Sequence, residues 1–405
     1  MSINFKAAVR KISFVSAIVF ALTVGPFCHD PGKAFAAETK LSVVNVRIDR
    51  TTLSPGEEVM IYYRLTEDAK VSLYVYGPDY VVVRRLLDGI QRPAGTNNIT
   101  WDGRDDSGGM VPDEAYIFSI VAEDKNGQRT VYDPTSYSGG EILYLKMSRL
   151  EKNAGNYTMY YSIPVPARVC IRAGVHKGPM LKTILDWRPL SPGEYSETWD
   201  GWDGTGRIRV MDEPGSILYI KGFKLPENTI IVQVSNVDYH VYYKKFSGTP
   251  IEEPGGITKS SVKQAALQRR DKGLSPEYLV PRALNVAPRF FVYQAAVNDG
   301  GSGSRAPSSY EKTPLTEKAN TGISGTFDMT VEVAPESMTS FNESRYEIVV
   351  FVDNKRFDEE ESAYSPYTYS LDTTKLANGE HAITINLASL TGQVGTYSFM
   401  IRVKN

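Results

Sequence analysis

Apolar residues recur at every second position over 41–49, 58–65, 70–76 and 80–87, with turn residues between them, as in Ser54-Pro55-Gly56 and Gly77-Pro78-Asp79. A period of two marks a strand with one buried face, and turn signals roughly every ten residues mark an antiparallel sandwich. A further strand ends at Trp101, and 114–123 places Tyr116, Phe118 and Ile120 on one face. The pattern predicts an all-β fold of antiparallel sandwiches.

Trp101 opens the stretch that orders the rest. Trp101-Asp102-Gly103-Arg104-Asp105-Asp106-Ser107-Gly108 returns 98 positions later as Trp199-Asp200-Gly201-Trp202-Asp203-Gly204-Thr205-Gly206. The offset holds upstream, where Tyr63 falls on Tyr161, Ala69-Lys70-Val71 on Ala167-Arg168-Val169, and Gly95 on Gly193. One domain-sized unit therefore occurs twice, over 40–138 and 139–236. Each Trp is expected to fill the core between two sheets. Asp102, Gly103, Asp105 and Gly108, with Asp200, Gly201, Asp203 and Gly206, are expected to form tight reversals from side-chain-to-backbone hydrogen bonds and positive φ angles. After Gly206 the second copy shortens its turn, and strands over 216–224 and 229–234 are expected to complete it.

Residues 237–323 read as a poorly structured linker or insertion. It holds strand-like runs over 241–246 and 288–293, a short helix over 260–272 stopped by Gly273, and the loop Asn298-Asp299-Gly300-Gly301-Ser302-Gly303-Ser304. Alternation returns over 327–333, 346–352, 367–371, 381–387 and 397–403, which predicts a third sandwich over 324–405.

The first unit resembles the Ig-like domain of the flagellar hook-capping protein FlgD. The residues that carry the likeness are Val71-Ser72-Leu73-Tyr74-Val75-Tyr76, Val83-Arg84-Arg85-Leu86, Ala94-Gly95, Trp101 to Gly108, and Ala115-Tyr116. That pattern has Gly two residues before the Tyr, where this chain has Glu114. Tyr367 to Leu376 with Asn378-Gly379-Glu380-His381 is similar to a second group of bacterial Ig-like domains. Both resemblances imply immunoglobulin-like or fibronectin-like sandwiches. The export signal and the third sandwich do not belong to the layout of a hook-capping protein as a whole.

Hydrophobic residues at 41% and charged residues at 23% are those of a folded chain, and 405 residues allow several cores. A net charge of −2 gives no basic excess for nucleic acid or anionic lipid. Residues 1–36 read as a signal peptide. Lys6, Arg10 and Lys11 precede an apolar run over 12–27, and Ala34-Phe35-Ala36 forms a small-x-small cleavage site. The run is shorter than the roughly 20 residues of a spanning helix, which favours a cleaved signal over an uncleaved membrane anchor, and no later stretch approaches that length, so no membrane span is expected after cleavage. Cys28 lacks the small residues of a lipobox before it, and Cys170 is then the single cysteine left. A half-buried strand thiol is its expected role, against a bridge between chains.

Candidate chemistry is sparse. No zinc-protease, nucleophile-elbow, phosphate-loop or dinucleotide motif occurs, and His176, His240 and His381 lie in separate segments. No catalytic residue and no cofactor is expected. Asp102, Asp105 and Asp106 could gather calcium, but their spacing is not that of an EF-hand and capping of turn amides is the preferred reading. Asp358-Glu359-Glu360-Glu361 reads as a solvated charge run. Twenty-five Tyr is a high count, and Trp202, Tyr242, Tyr243, Tyr364 and Tyr367 are the candidates for contact with a partner. The expectation is an exported, non-enzymatic binding or assembly protein of the envelope or extracellular space, with envelope proteins as partners. The second reading is a carbohydrate-binding accessory module.

Overall fold

The computed structural model describes residues 40–245, 256–258, 260, 261, 264, 288–294, 315, 322–343, 345–389 and 392–405. The expected signal peptide over 1–36, nearly all of the expected helix over 260–272 and the glycine loop over 298–304 lie outside the described residues. Lys40–Asn405 forms one unit.

In chain order the first unit contributes β1 (Val43–Ile48), β2 (Thr52–Leu53), β3 (Val59–Leu65), β4 (Ala69–Tyr76), β5 (Val82–Arg92), β6 (Gly95–Trp101), β7 (Ala115–Glu123) and β8 (Arg129–Tyr132). The second contributes β9 (Ile142–Leu143), β10 (Met147–Asn153), β11 (Asn156–Ile163), β12 (Ala167–Val175), β13 (Met180–Leu190), β14 (Gly193–Trp199), β15 (Ser216–Lys224) and β16 (Ile230–Val232). The third is built from β17 (Phe290–Gln294), β18 (Thr326–Val333), β19 (Tyr346–Val352), β20 (Lys355–Glu360), β21 (Tyr367–Asp372), β22 (Gly379–Ser389) and β23 (Val394–Val403).

Alternation decides the packing. In β3 the inward residues Val59, Ile61, Tyr63 and Leu65 are buried and join Val71, Leu73, Phe118 and Trp101 in one core between the sheets β1-β3-β6 and β2-β16-β7-β4-β5. Met159, Tyr161, Val169, Ile171 and Trp199 fill the same places between β10-β11-β14 and β13-β12-β15-β9. The repeat in sequence is thus a repeat in packing. The third sandwich packs β17-β18-β21 on β20-β19-β22-β23 around Phe327, Ile348, Ile385 and Phe399.

Two expectations are corrected by strand pairing. The stretch over 229–234, expected to complete the second sandwich, instead enters the first, where β16 lies antiparallel to β7 (Ile230 opposite Tyr116) and parallel to β2 (Val232 opposite Leu53). The second sandwich therefore stands as an insertion within the first. Its two chain ends lie side by side, with Gly140 N–H donating to the Lys224 carbonyl and Lys224 N–H to the Glu141 carbonyl, each at 2.8 Å. The third sandwich likewise takes β17 from the presumed linker, paired along β18 from Phe290 opposite Val333 to Gln294 opposite Met329.

The strand expected over 241–246 is a helix, α1 (Tyr239–Lys244). Asp238 caps it by accepting from Val241 N–H at 2.8 Å, which satisfies an otherwise orphan donor of the first turn. Helical spacing brings the Tyr239 and Tyr243 rings to 4.6 Å. Beyond α1, Ile257 is buried against Tyr74, Tyr76, Ile117 and Val121 on the outer face of the β4-β7 sheet. Gly256 passes so close to Ser119 and Tyr76 that a Cβ would not fit there. The described parts of 237–258 therefore strap the first sandwich instead of forming a loose linker.

Candidate functional site

The two Trp turns share one construction. Trp101 Nε1 donates to the Arg104 carbonyl at 2.9 Å and Trp199 Nε1 to the Trp202 carbonyl at 2.7 Å. Gly103 and Gly201 take φ of 75° and 83°, the left-handed conformation that lets each chain reverse under its ring. Asp105 accepts from Ser107 N–H, Ser107 Oγ and Gly109 N–H at 3.0, 2.6 and 3.0 Å. Asp203 accepts from Thr205 Oγ1, Arg207 N–H and Ile208 N–H at 2.6, 2.7 and 2.9 Å. Both carboxylates are buried.

At the first turn the strap closes over this reversal. Tyr242 donates to Asp105 Oδ2 at 3.0 Å, and the Lys245 ammonium pairs with the same oxygen. Desolvation opposes ionisation of Asp105, but the bonds from Lys245, Ser107 and Tyr242 outweigh it and lower its pKa to about 2. Burial, and then the neighbouring Asp105 charge, push the Tyr242 phenol up. Asp102 accepts from Arg104 N–H at 3.1 Å, whereas Asp106 pairs with Arg85 at 2.7 Å. The three carboxylates thus serve three separate sets of donors, and among the described residues no group of three or more His, Cys, Asp or Glu could hold a metal ion.

The partner candidates divide. Tyr242 is buried and Tyr243 half-buried within the first core, so neither is the exposed residue its sequence context suggested. Trp202 is half-buried, with the Arg209 guanidinium 5.0 Å above its ring. Tyr364 is 60% exposed and stands edge-on to the half-buried Tyr367 at 5.1 Å. His381 holds Asp353 Oδ2 at 2.7 Å and the Ala377 carbonyl at 2.8 Å. Desolvation works against the imidazolium, yet those bonds to Asp353 and Ala377 raise its pKa. Cys170 is fully buried, and burial pushes its thiol up to about 11.

Buried polar contacts join the sandwiches to one another. Glu114, at the position where the resemblance expects Gly, accepts from Arg168 at 2.6 Å with both side chains fully buried, and Arg168 also donates to the Trp187 carbonyl at 3.1 Å. Trp187 in turn donates from Nε1 to the Gly392 carbonyl of the third sandwich at 3.1 Å. Asn386 accepts from Met180 N–H at 2.8 Å and donates to the Met180 carbonyl at 2.7 Å. Beside the first junction lies a cleft of roughly 530 Å³ lined by Asp113, Leu185, Arg188, Tyr195, Ile231 and Val234 among others.

A Trp-capped, Asp-stitched reversal joins β6 to β7. Residues 49–126 match the FlgD Ig-like domain. This FlgD-type match lies within the first sandwich. Among solved structures the chain is similar to FlgD from P. aeruginosa, at 20% identity over 30% of this chain and 87% of that one, with a TM-score of 0.19. It is also similar to a tetra-tandem repeat from the extending region of a large adhesion protein, at 11% identity over 90% of this chain and 74% of that one, with a TM-score of 0.18. A 1.5-MDa bacterial ice-binding adhesin is similar at 10% identity over 90% and 98%, with a TM-score of 0.17. No curated protein matches the chain. Among the described residues no helix is long and apolar enough to cross a membrane.

Proposed function

We propose that this chain is an exported, non-catalytic binding or assembly protein of the cell envelope or extracellular space, with envelope or extracellular proteins as partners. The observation that carries the reading is the use of its polar groups. Asp105, Asp203, Glu114 and His381, which could do chemistry in another setting, are engaged in holding turns and junctions. What the sandwiches offer outward is strand edge. β10 ends the β10-β11-β14 sheet, and Ser148 to Asn153 are all exposed, with Leu150 among them. An edge of this kind can take an added strand from a partner. The match to a FlgD Ig-like domain supports a role without chemistry. Affinity isolation of the mature protein from envelope and medium fractions tests the reading. Co-recovery of a defined set of envelope or filament proteins is expected, and loss of that set with Leu150→Pro assigns it to the β10 edge. Recovery of the protein alone contradicts the proposal.

One observation favours a glycan as the second reading. The exposed Tyr364 ring, braced by Tyr367, is a surface on which a sugar can stack. Retention on a polysaccharide that Tyr364→Ala abolishes would move the function there.

A further inference from the structure

We infer that the fold bears tension through its first sandwich and keeps the second sandwich out of the load path. The argument starts from β16. The chain leaves the first sandwich after β8, builds the whole second sandwich, and returns to lie parallel to β2, with Ile231 opposite Thr52 and Val232 opposite Leu53. Ile231 N–H donates to the Thr51 carbonyl at 2.8 Å and Gln233 N–H to the Leu53 carbonyl at 3.0 Å, while Val232 N–H donates to the Glu114 carbonyl at 2.9 Å. A pull toward the N-terminus draws β2 one way, and a pull toward the C-terminus draws β16 the other way. Because the strands are parallel, the opposed pulls run along their axes, so the bonds are loaded in shear and must break together instead of unzipping one at a time.

Side-chain anchors reinforce the same place. Asp113 accepts from Val234 N–H at 2.9 Å and Ser235 N–H at 2.7 Å. Val234 is held at φ 61°, a conformation a β-branched residue avoids, so this carboxylate grips a backbone that would otherwise relax. Asn228 Nδ2 donates to the Val46 carbonyl at 3.2 Å and to the Tyr132 hydroxyl at 2.8 Å. Everything between Leu53 and Ile231, the second sandwich included, is a loop closed by this clamp. The second sandwich carries no tension along its backbone until the clamp opens. Such an arrangement suits a protein held at two points, and only the origin of the load rests on the assembly reading above. The order of rupture belongs to the chain itself.

Single-molecule pulling on the full mature chain tests it, with handles at Arg50→Cys and Asn236→Cys, both exposed positions that lie between β1 and α1 along the chain and so load β2 and β16 directly. The expected first event is rupture of the clamp. The second sandwich extends only afterwards and adds roughly 300 Å at about 3.6 Å per residue. Handles at Tyr144→Cys and Glu227→Cys, which load the second sandwich directly, should unfold it at lower force. Ile231→Pro removes a clamp donor, and the exposed Asp113→Ala removes the anchor without touching the core. Each should lower the first rupture force while leaving total extension unchanged, and Asp113→Ala serves should the proline variant fail to fold. Extension of the second sandwich before the first event, or an unchanged first rupture force in Asp113→Ala, overturns the inference. Neither result bears on which partners the protein recovers from the envelope.

Discussion

Trp187 shows what a single position can carry. It lies 98 residues after Gly89, and the two take φ of 45° and 63° at the same bulged place in the long strand of each copy. Glycine adopts that conformation freely, while another residue pays about 1–2 kcal/mol for it. Trp187 bears the cost because its ring is buried against Phe223 at 5.0 Å and its indole N–H reaches the third sandwich. Trp187→Gly should release the strain yet lose the buried ring, for a net destabilisation of about 2 kcal/mol in thermal unfolding. Trp101→Ala, with no strain to release, should cost ~3–5 kcal/mol. Asp105 gives a pH signature. Its folded pKa, near 2, lies below the ordinary value of about 3.9, so the stabilisation is present above pH ~4 and is lost as pH falls from there through about 2. Lys245→Met should flatten this acid-side fall, measured as melting temperature against pH.

At the scale of elements, the buried Glu114–Arg168 pair joins β7's leading edge to β12. Removing one partner strands a charge in the interior, so Glu114→Gly should cost about 3–5 kcal/mol, whereas Glu114→Met with Arg168→Met should be close to neutral. A double-mutant cycle in denaturant measures both. The sequence made the strands and the repeat legible because Trp, Asp and Gly at fixed spacing leave few alternatives to a core-filling ring over a tight turn. It did not make the pairing legible. Ile230-Ile231-Val232 is apolar throughout, so its pattern favours no face and no sheet. The run over 241–246 misled for a different reason: Val and Tyr favour strands intrinsically, but the Asp238 cap and the burial of Tyr242 beside Asp105 stabilise a helix. The same contacts placed Tyr242 and Tyr243 in the core, although nothing local distinguishes them from the exposed Tyr364.

For the whole molecule, the departures from a plain repeat are what join its parts. Glu114 replaces an expected Gly and meets the second copy, Trp187 stands where the first copy has Gly and meets the third sandwich, and the segment after the second copy returns to finish the first. Three sandwiches that sequence alone presents as beads on a string are therefore interlocked, and the first is discontinuous in the chain. Hydrogen exchange on full-length Trp101→Ala tests that claim most directly. Loss of protection at Ile231, Val232 and Gln233 together with Tyr116 and Phe118, while Leu218 and Ile220 of β15 stay protected, is the predicted result. Continued protection of Ile231 to Gln233 in step with β15 would contradict it.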